Sequence, residues 1–247
     1  MSNPTSTGMN RTGLQMAPML SERMLEISSD SESLPGDQLE FARMRQRYSS
    51  EFGAVGSMPP PGSMKGMATT AMETLKGNKP TVFIDKLGER LAFERTGVRL
   101  YDAVLAKFDA FGSWDQGPSR EHLLQIREEE LQHFEMLKET IEQLGADPTA
   151  MTPSADVAAV ETSGVPKVVS DPRTTLPQAC HAMMMVESVD NEGWHLLIRL
   201  ARDIGQDSLA DRFEQAQAAE ERHAIWMRQW LSSAVLSDAH HELRGGH

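Results

Sequence analysis

The sequence predicts an all-α protein, a four-helix bundle with one long crossover that follows a largely disordered N-terminal tail. Three observations predict it. Four segments between residues 81 and 234 carry apolar side chains at steps of three and four, the period of one helix face. The stretch 145–175, which holds four prolines, lacks this period and separates the second segment from the third. Residues 1–77 are rich in Ser, Gly, Pro and Met.

Composition excludes several classes of protein. The 247 residues carry a formal net charge of −12, which repels phosphate backbones, so we expect no nucleic-acid partner. The single cysteine, Cys180, excludes an internal disulfide framework, a Cys-rich zinc site and an iron–sulfur cluster. We find neither a secretory signal nor an apolar run of about 18 residues, which predicts a cytoplasmic protein with no membrane partner.

The composition also divides the chain into three regions. Segments as polar and rich in turn-formers as residues 1–77 rarely bury enough apolar surface to offset the entropy of ordering them, so we expect a mobile region. Within it, Leu20–Ile27 and Asp37–Tyr48 are candidate helical turns, and the second offers a surface for a protein partner. Residues 78–236 form the predicted bundle, and 237–247 a short polar tail.

The first bundle helix is predicted to begin near Thr81, after Pro80, and to continue to about Phe111. Glu94 lies in the middle of its apolar stripe. A carboxylate that is buried and unpaired costs several kcal/mol, so Glu94 must be neutralised, paired or bound to a cation. The other inward residues of this stripe are Ile84, Leu87, Leu91, Val98, Tyr101, Leu105 and Phe108.

The second helix is predicted to open at Ser119 and to stop at Gly145, with Glu130 and His133 on its inward face. The neighbouring Glu128 and Glu129 are expected on the solvated side. A connection as long as 145–175 suits a crossover that runs the length of a bundle. A short helix near residues 155–161 is expected on it.

The third helix is predicted from about Pro177 to just before Gly205, with Glu187, Asp190 and Trp194 facing inward. The fourth is predicted from about Ser208 to Ala234, with Glu220 and His223 facing inward. Both helices therefore carry polar groups at positions that the apolar stripe assigns to the core.

The two halves of the bundle repeat one pattern, a Glu on one helix and a Glu-x-x-His on the next. Residues three apart lie on one helix face within about 6 Å, so each motif can present a carboxylate and an imidazole to the same point. Four carboxylates nearly neutralise two divalent ions, and oxygen with imidazole ligands suits iron or manganese. The predicted metal ligands are Glu94, Glu130, His133, Glu187, Glu220 and His223.

Further residues around this set have predicted roles. Tyr101 and Trp194 follow Glu94 and Glu187 by seven residues, which places each aromatic ring above its own carboxylate. Tyr101 is the candidate catalytic residue, because it could donate an electron or limit side oxidation. Asp190 is a candidate for orienting a ligand imidazole. Its counterpart in the first half, Gly97, leaves room through which we hypothesise that substrate enters.

Glu94, Tyr101, Glu130 to His133, Glu187 and Glu220 to His223 together resemble the ferritin-like superfamily over roughly residues 81–235. The segment 170–176 and the helix after it also look like those of uncharacterised bacterial ferritin-like domain proteins. The resemblance implies a dinuclear iron centre, or sometimes manganese, that reacts with O₂ or peroxide and oxidises Fe(II) or a small substrate. The chain lacks a Cys-rich rubredoxin module, and the residues after Val235 offer little for a fifth helix, which favours a homodimer over a mineral-storing cage.

Two other functions stay open at this point. One is a non-enzymatic, stress-associated bundle that acts as an interaction protein and keeps a structural or vestigial site. The other is a peroxide dismutation like that of manganese catalases. A further Glu-x-x-His, Glu192 with His195, lies about 140° around the third helix from Glu187, so we expect it on the solvated face.

Overall fold

The computed structural model describes residues 17–30, 38–62, 66 and 80–245. The described residues contain helices and no strand, which confirms the all-α class. The helices are α1 (Pro18–Asp30), α2 (Gln38–Glu51), α3 (Pro80–Phe111), α4 (Arg120–Gln143), α5 (Pro153–Glu161), α6 (Val165–Ser170), α7 (Leu176–Asp203) and α8 (Asp207–Gly245).

Helices α1 and α2 belong to one compact unit, residues 5–54, and helices α3 to α8 belong to the other. Helix α1 contains the predicted stretch Leu20–Ile27, and α2 contains the predicted stretch Asp37–Tyr48 from Gln38 onward; Asp37 lies outside the described residues. Most of the remaining N-terminal residues, which the sequence predicts to be mobile, lie outside the described residues. The predicted boundary at 77–78 also lies outside them. Residues 55–62 group with the bundle, where the Gly62 amide donates to the Gly145 carbonyl at 3.1 Å.

Helices α3, α4, α7 and α8 form the four-helix bundle. Helix α3 packs along α4 and α7 packs along α8, while α3 also contacts α7 and α4 contacts α8. Positive-φ glycines, Gly145 and Gly205, follow the carboxyl ends of α4 and α7, where a left-handed residue closes a helix without strain. The predicted bounds of the first three bundle helices are confirmed to within one or two residues.

Helix α8 differs from its prediction because it continues past Ala234 to Gly245. The sequence between Gly205 and Gly245 contains neither proline nor glycine, so nothing in it stops the helix once the apolar stripe ends. The segment that polarity alone assigned to a tail is therefore largely helical. Among the described residues, no helix combines the length and apolar character that crossing a membrane requires.

The crossover packs against the α3 and α7 side of the bundle, with α5 on α3, and α6 on both α3 and α7. Helix α5 lies where the sequence predicted it, and α6 was not predicted. The buried Lys107 of α3 donates from Nζ to the carbonyl oxygens of Asp171, at 2.6 Å, and Thr174, at 2.9 Å. This lysine ties the end of the crossover to the bundle just before α7 begins.

Two apolar clusters fill the bundle, one toward each end, and a layer of buried charged residues lies between them. The first cluster includes Leu100, Val104, Leu123, Ile126, Ala179, Met183, Met227 and Trp230. The second includes Phe83, Leu87, Leu137, Ile141, Trp194, Leu197, Ala210 and Phe213. The charged layer is therefore enclosed by apolar packing above and below.

Candidate metal centre

The six residues predicted as ligands meet in the charged layer, and each bundle helix supplies at least one of them. All are buried, with exposed fractions between 0 and 7 %. The side chains brought together are Glu94 from α3, Glu130 and His133 from α4, Glu187 from α7, and Glu220 and His223 from α8. All six side chains that the helical period places inward therefore meet in one layer, and their role as metal ligands stays a prediction.

Candidate ligand atoms form three overlapping groups, within each of which all atoms lie within 4.8 Å of one another. One group, here called the His133 position, comprises Glu94, His133 and Glu220. A second, the His223 position, comprises Glu130, Glu187, Glu220 and His223. The third comprises Glu94, Glu130, Asp190 and Glu220, so Glu220 belongs to all three groups, and Glu94 and Glu130 belong to two each.

Both imidazoles turn Nδ1 toward the centre of this layer. His133 Nδ1 lies 2.7 Å from Glu220 Oε1 and 3.6 Å from Glu94 Oε2. His223 Nδ1 lies 3.1 Å from Glu220 Oε2 and 3.5 Å from Glu187 Oε2. The spacing of three residues in each Glu-x-x-His produces this geometry, because it places carboxylate and imidazole on one face of a helix.

Several of these inward atoms are buried without a hydrogen-bond partner. They are Glu94 Oε2, His133 Nδ1, Glu187 Oε2 and Glu220 Oε1. His133 Nδ1 and Glu220 Oε1 are close in distance but are not oriented for a hydrogen bond. Because buried polar atoms are nearly always satisfied in native proteins, this convergence fits a donor set for cations.

The protonation equilibria of the site reflect burial and crowding. Burial and the neighbouring carboxylates raise the pKa of Glu130 well above its usual value, and burial raises the pKa of Glu187 to about 7. Burial alone would lower the pKa of His133, but its contacts with Glu220 and Glu94 raise it to about 9. Burial would raise the pKa of Glu220, yet the two imidazoles hold it below its usual range. Cations that bind here must therefore displace protons.

Tyr101 is buried and donates its hydroxyl proton to Glu187 Oε1. The sequence predicted that the Tyr101 ring would lie above Glu94, on its own helix. Its hydrogen-bond partner is instead Glu187, the carboxylate of the other half. Burial, and then the Glu187 charge, raise the pKa of the Tyr101 hydroxyl well above its usual value. Trp194 packs edge-on against His133, with 5.4 Å between the ring centroids.

Arg90 is a buried residue of the site that the sequence analysis missed. Its guanidinium pairs with Asp190 and approaches Glu94 Oε1 at 3.4 Å, and Gly193 makes room for it because a Cβ there would collide with Nη1. The sequence does carry a signal, since Arg90 lies one helical turn before Glu94 on the inward stripe. Asp190 was predicted to orient an imidazole, and its ion pair is instead with Arg90.

Glu129 is a further residue of the site whose position the sequence did not predict. It was expected on the solvated side, yet its Oε2 accepts from His223 Nε2 at 2.6 Å, and its Oε1 accepts from Arg222 at 2.7 Å. Burial would raise the pKa of Glu129, but the hydrogen bond from His223 lowers it to about 2. The residue before Glu220, at the equivalent place in the other half, is Ala219, so the two halves differ here.

The third Glu-x-x-His lies apart from the site, as predicted. Glu192 and His195 are exposed, and His195 Nδ1 is within 2.8 Å of the Gln217 side chain on the bundle surface.

A family model described as the ferritin-like domain matches residues 84–235, which is more than half of the chain. A comparison with curated proteins gives no match, and neither does a comparison with solved structures. The matched residues begin in α3 and end in α8, and they include the whole charged layer with its two Glu-x-x-His motifs. The chain therefore belongs to the ferritin-like family.

Proposed function

We propose that the bundle holds two iron ions through Glu94, Glu130, His133, Glu187, Glu220 and His223. In this proposal it reacts with O₂ or peroxide and oxidises Fe(II) or a small substrate. The observation that supports it most is the set of buried carboxylate and imidazole atoms that converge without hydrogen-bond partners. Oxygen and imidazole donors suit iron, and they also accept manganese.

The charges of the layer support two divalent ions. Arg90 and Asp190 cancel each other as a buried ion pair, which leaves the four glutamates to balance the cations. Four carboxylates against two divalent ions give a nearly neutral core, which removes most of the cost of burying either set alone. A single divalent ion would balance only two of the four carboxylates and would leave the other two to bind protons.

Two iron ions held here would supply the electrons that reduce O₂ or peroxide. The protein residues then have distinct tasks. Glu220, which belongs to every group of candidate ligand atoms, would help to hold both ions. Glu129 holds the outer nitrogen of His223 and so orients its Nδ1 inward. Tyr101 keeps a proton at Glu187, where it can be passed to a reacting group, and the apolar clusters exclude water.

An anaerobic titration of the metal-free chain with Fe(II), followed by exposure to air, tests the proposal. We expect saturation at two irons per chain and an air-dependent absorbance in the near ultraviolet. A Glu130→Ala, His133→Ala variant should lose both. The matched control is Glu192→Ala, His195→Ala, which removes a Glu-x-x-His on the surface and should behave like the unmodified protein.

The titration separates the alternatives that the sequence left open. Equal, weak binding by the unmodified chain and the Glu130→Ala, His133→Ala variant would contradict the proposal and favour an interaction protein with a vestigial site. A parallel sample loaded with Mn(II) that evolves O₂ from peroxide would favour the manganese catalase alternative. We further propose a homodimer, which light scattering of the same samples would measure.

A further inference from the structure

The surroundings of the two metal positions break the repeat between the halves. On the Glu94 side, Arg90 and Asp190 form an ion pair that fills the space between α3 and α7. On the Glu187 side, the residues at the corresponding offsets are Met183 and Gly97. An ion pair therefore fills one side of the layer, whereas the other side has the thioether of Met183 and a glycine, which has no side chain.

A cleft of about 70 Å³, open to solvent on one side, lies against Gly97. It runs between α3 and the crossover helix α5, and its walls include Phe93, Gly97, Leu100, Ala155, Ala158 and Val186. At Gly97 an added Cβ would collide with Glu130 Oε2, so this carboxylate of the His223 position uses the space that the glycine leaves. Gly97 therefore borders both the cleft and the candidate metal site.

The walls of the cleft offer little for hydrogen bonding. The hydroxyl groups of Thr96 and Thr162 each donate to the carbonyl oxygen four residues earlier in the chain, at 2.8 Å. Neither hydroxyl therefore has a proton left to donate to a bound molecule. Arg95 lines the cleft from an exposed position. The remaining lining is made of alanine, leucine, valine, methionine and phenylalanine side chains. Such a surface selects for apolar molecules, because a polar one would lose its hydrogen bonds to water without replacement.

We propose that this cleft binds a small apolar organic molecule, of about the size of one benzene ring, as the substrate of the His223 position. The inference rests on the proposed function, since it names the substrate class of that centre. Dioxygen shares the apolar chemistry, so the cleft could also serve a gas alone. The small alanine side chains of α5 leave the cleft open toward solvent, so an organic ring can enter it from outside.

Toluene binding to the metal-free full-length chain tests this inference without any turnover. We expect saturable shifts of the Gly97 and Ala158 amide signals in heteronuclear NMR spectra. Ala159→Phe places a ring on an exposed residue of the cleft wall and should weaken toluene binding by about tenfold or more. Ala158→Leu, which fills the cleft from within, provides a second blocked variant.

The control is Val157→Phe, which adds the same ring on the same short helix at a residue that is 40 % exposed and does not line the cleft. It should keep toluene affinity within about twofold of the unmodified chain. Absence of saturable toluene binding, or equal affinity in Ala159→Phe and Val157→Phe, would overturn the inference. So would binding of xenon without toluene, which would make the cleft a route for gases only.

The iron titration distinguishes this failure from that of the proposed function. Two irons bound by a chain that does not bind toluene would remove the organic substrate and leave the metal proposal standing. Toluene bound by a chain that takes up no iron would remove the metal proposal, and the substrate role of the cleft would fall with it. Gly97 itself is left unchanged in these tests, because any side chain there would displace Glu130.

Discussion

The His223 imidazole is held at both of its nitrogens. Nδ1 faces Glu220 and Glu187, while Nε2 donates to Glu129 on the neighbouring helix α4. A carboxylate on the outer nitrogen fixes the tautomer and raises the basicity of the inner one, which strengthens a metal bond. Ala219 stands at the equivalent place in the other half, so we expect the two proposed metal positions to differ in affinity.

Glu129→Ala tests this hydrogen bond. We expect the affinity of one of the two bound ions to fall by about 10–100-fold, with the other nearly unchanged, because only His223 loses its partner. Anaerobic titration calorimetry with Mn(II) measures both steps. The control is Glu128→Ala, at the exposed neighbour of the same helix. Identical curves for the two variants would show that Glu129 does not support the site.

The buried Arg90 stands between the charge of Asp190 and the face of Phe93, whose ring centroid lies 4.2 Å from the guanidinium carbon. Removing one partner of a buried ion pair leaves an uncompensated charge. We expect Arg90→Met to destabilise the metal-free chain by about 3–5 kcal/mol in urea unfolding.

Asp190→Ala removes the other partner of this ion pair and completes a double-mutant cycle with Arg90→Met. The Arg90→Met, Asp190→Ala double variant should recover most of the loss, because Met and a small residue are close to what the other half carries at Met183 and Gly97. If the double variant loses as much free energy of unfolding as the two single variants together, the result would contradict a direct pairing between these residues.

The six converging residues could be predicted because the period of a helix alone decides which side chains share a face. Arg90 obeys the same period and was missed because arginine is usually exposed. The partner of Tyr101 could not be predicted, since Glu187 lies on a facing helix and only the packing of α3 against α7 brings them together. Glu129 required the same knowledge of how α4 contacts α8.

At the scale of elements, the buried Lys107 is one anchor of the crossover, beside the hydrogen bonds that Thr152 and Ser154 donate to Asp85 of α3. Lys107→Met keeps the apolar stem and removes both hydrogen bonds to the Asp171 and Thr174 carbonyls. We expect a loss of about 2 kcal/mol in the free energy of unfolding. Lys138→Met is the control, because that lysine is half exposed and its nearest carboxylate, Glu142, is 3.9 Å away. Equal effects of the two variants would mean that the anchor contributes nothing.

Element lengths were predictable wherever the sequence contains a stop signal. Helices α4 and α7 end at the glycines that the sequence marks, whereas α8 extends because its polar end carries no helix breaker. Helix α6 was missed because a six-residue helix that begins Val165-Pro166 is too short to show a period. The polar end of α8 also shows that composition alone does not separate a tail from a solvated helix.

At the scale of the whole molecule, the metal-free protein should lose stability as pH rises. The pKa of Glu187 is raised to about 7 and that of His133 to about 9, so both bind protons more tightly when folded. The stabilisation from a raised pKa is complete below the unfolded value, 4.5 for Glu187 and 6.5 for His133, and is lost as pH rises through the folded value.

We therefore expect the melting temperature of the metal-free chain to fall between about pH 5 and about pH 9. Glu187→Gln, which does not titrate, should flatten the lower part of this profile. Bound metal replaces the protons and should reverse the trend. A melting temperature that rises over the same interval would contradict protonated carboxylates in the folded site.

Anomalous diffraction at the iron edge, from crystals of the Fe(II)-loaded protein grown without oxygen, tests the dinuclear centre most directly. We expect two peaks about 3.5–4 Å apart, one beside His133 Nδ1 and one beside His223 Nδ1, with Glu220 between them. A single peak, peaks only at surface groups such as Glu192 with His195, or no peak in the charged layer would contradict a two-metal site in this bundle.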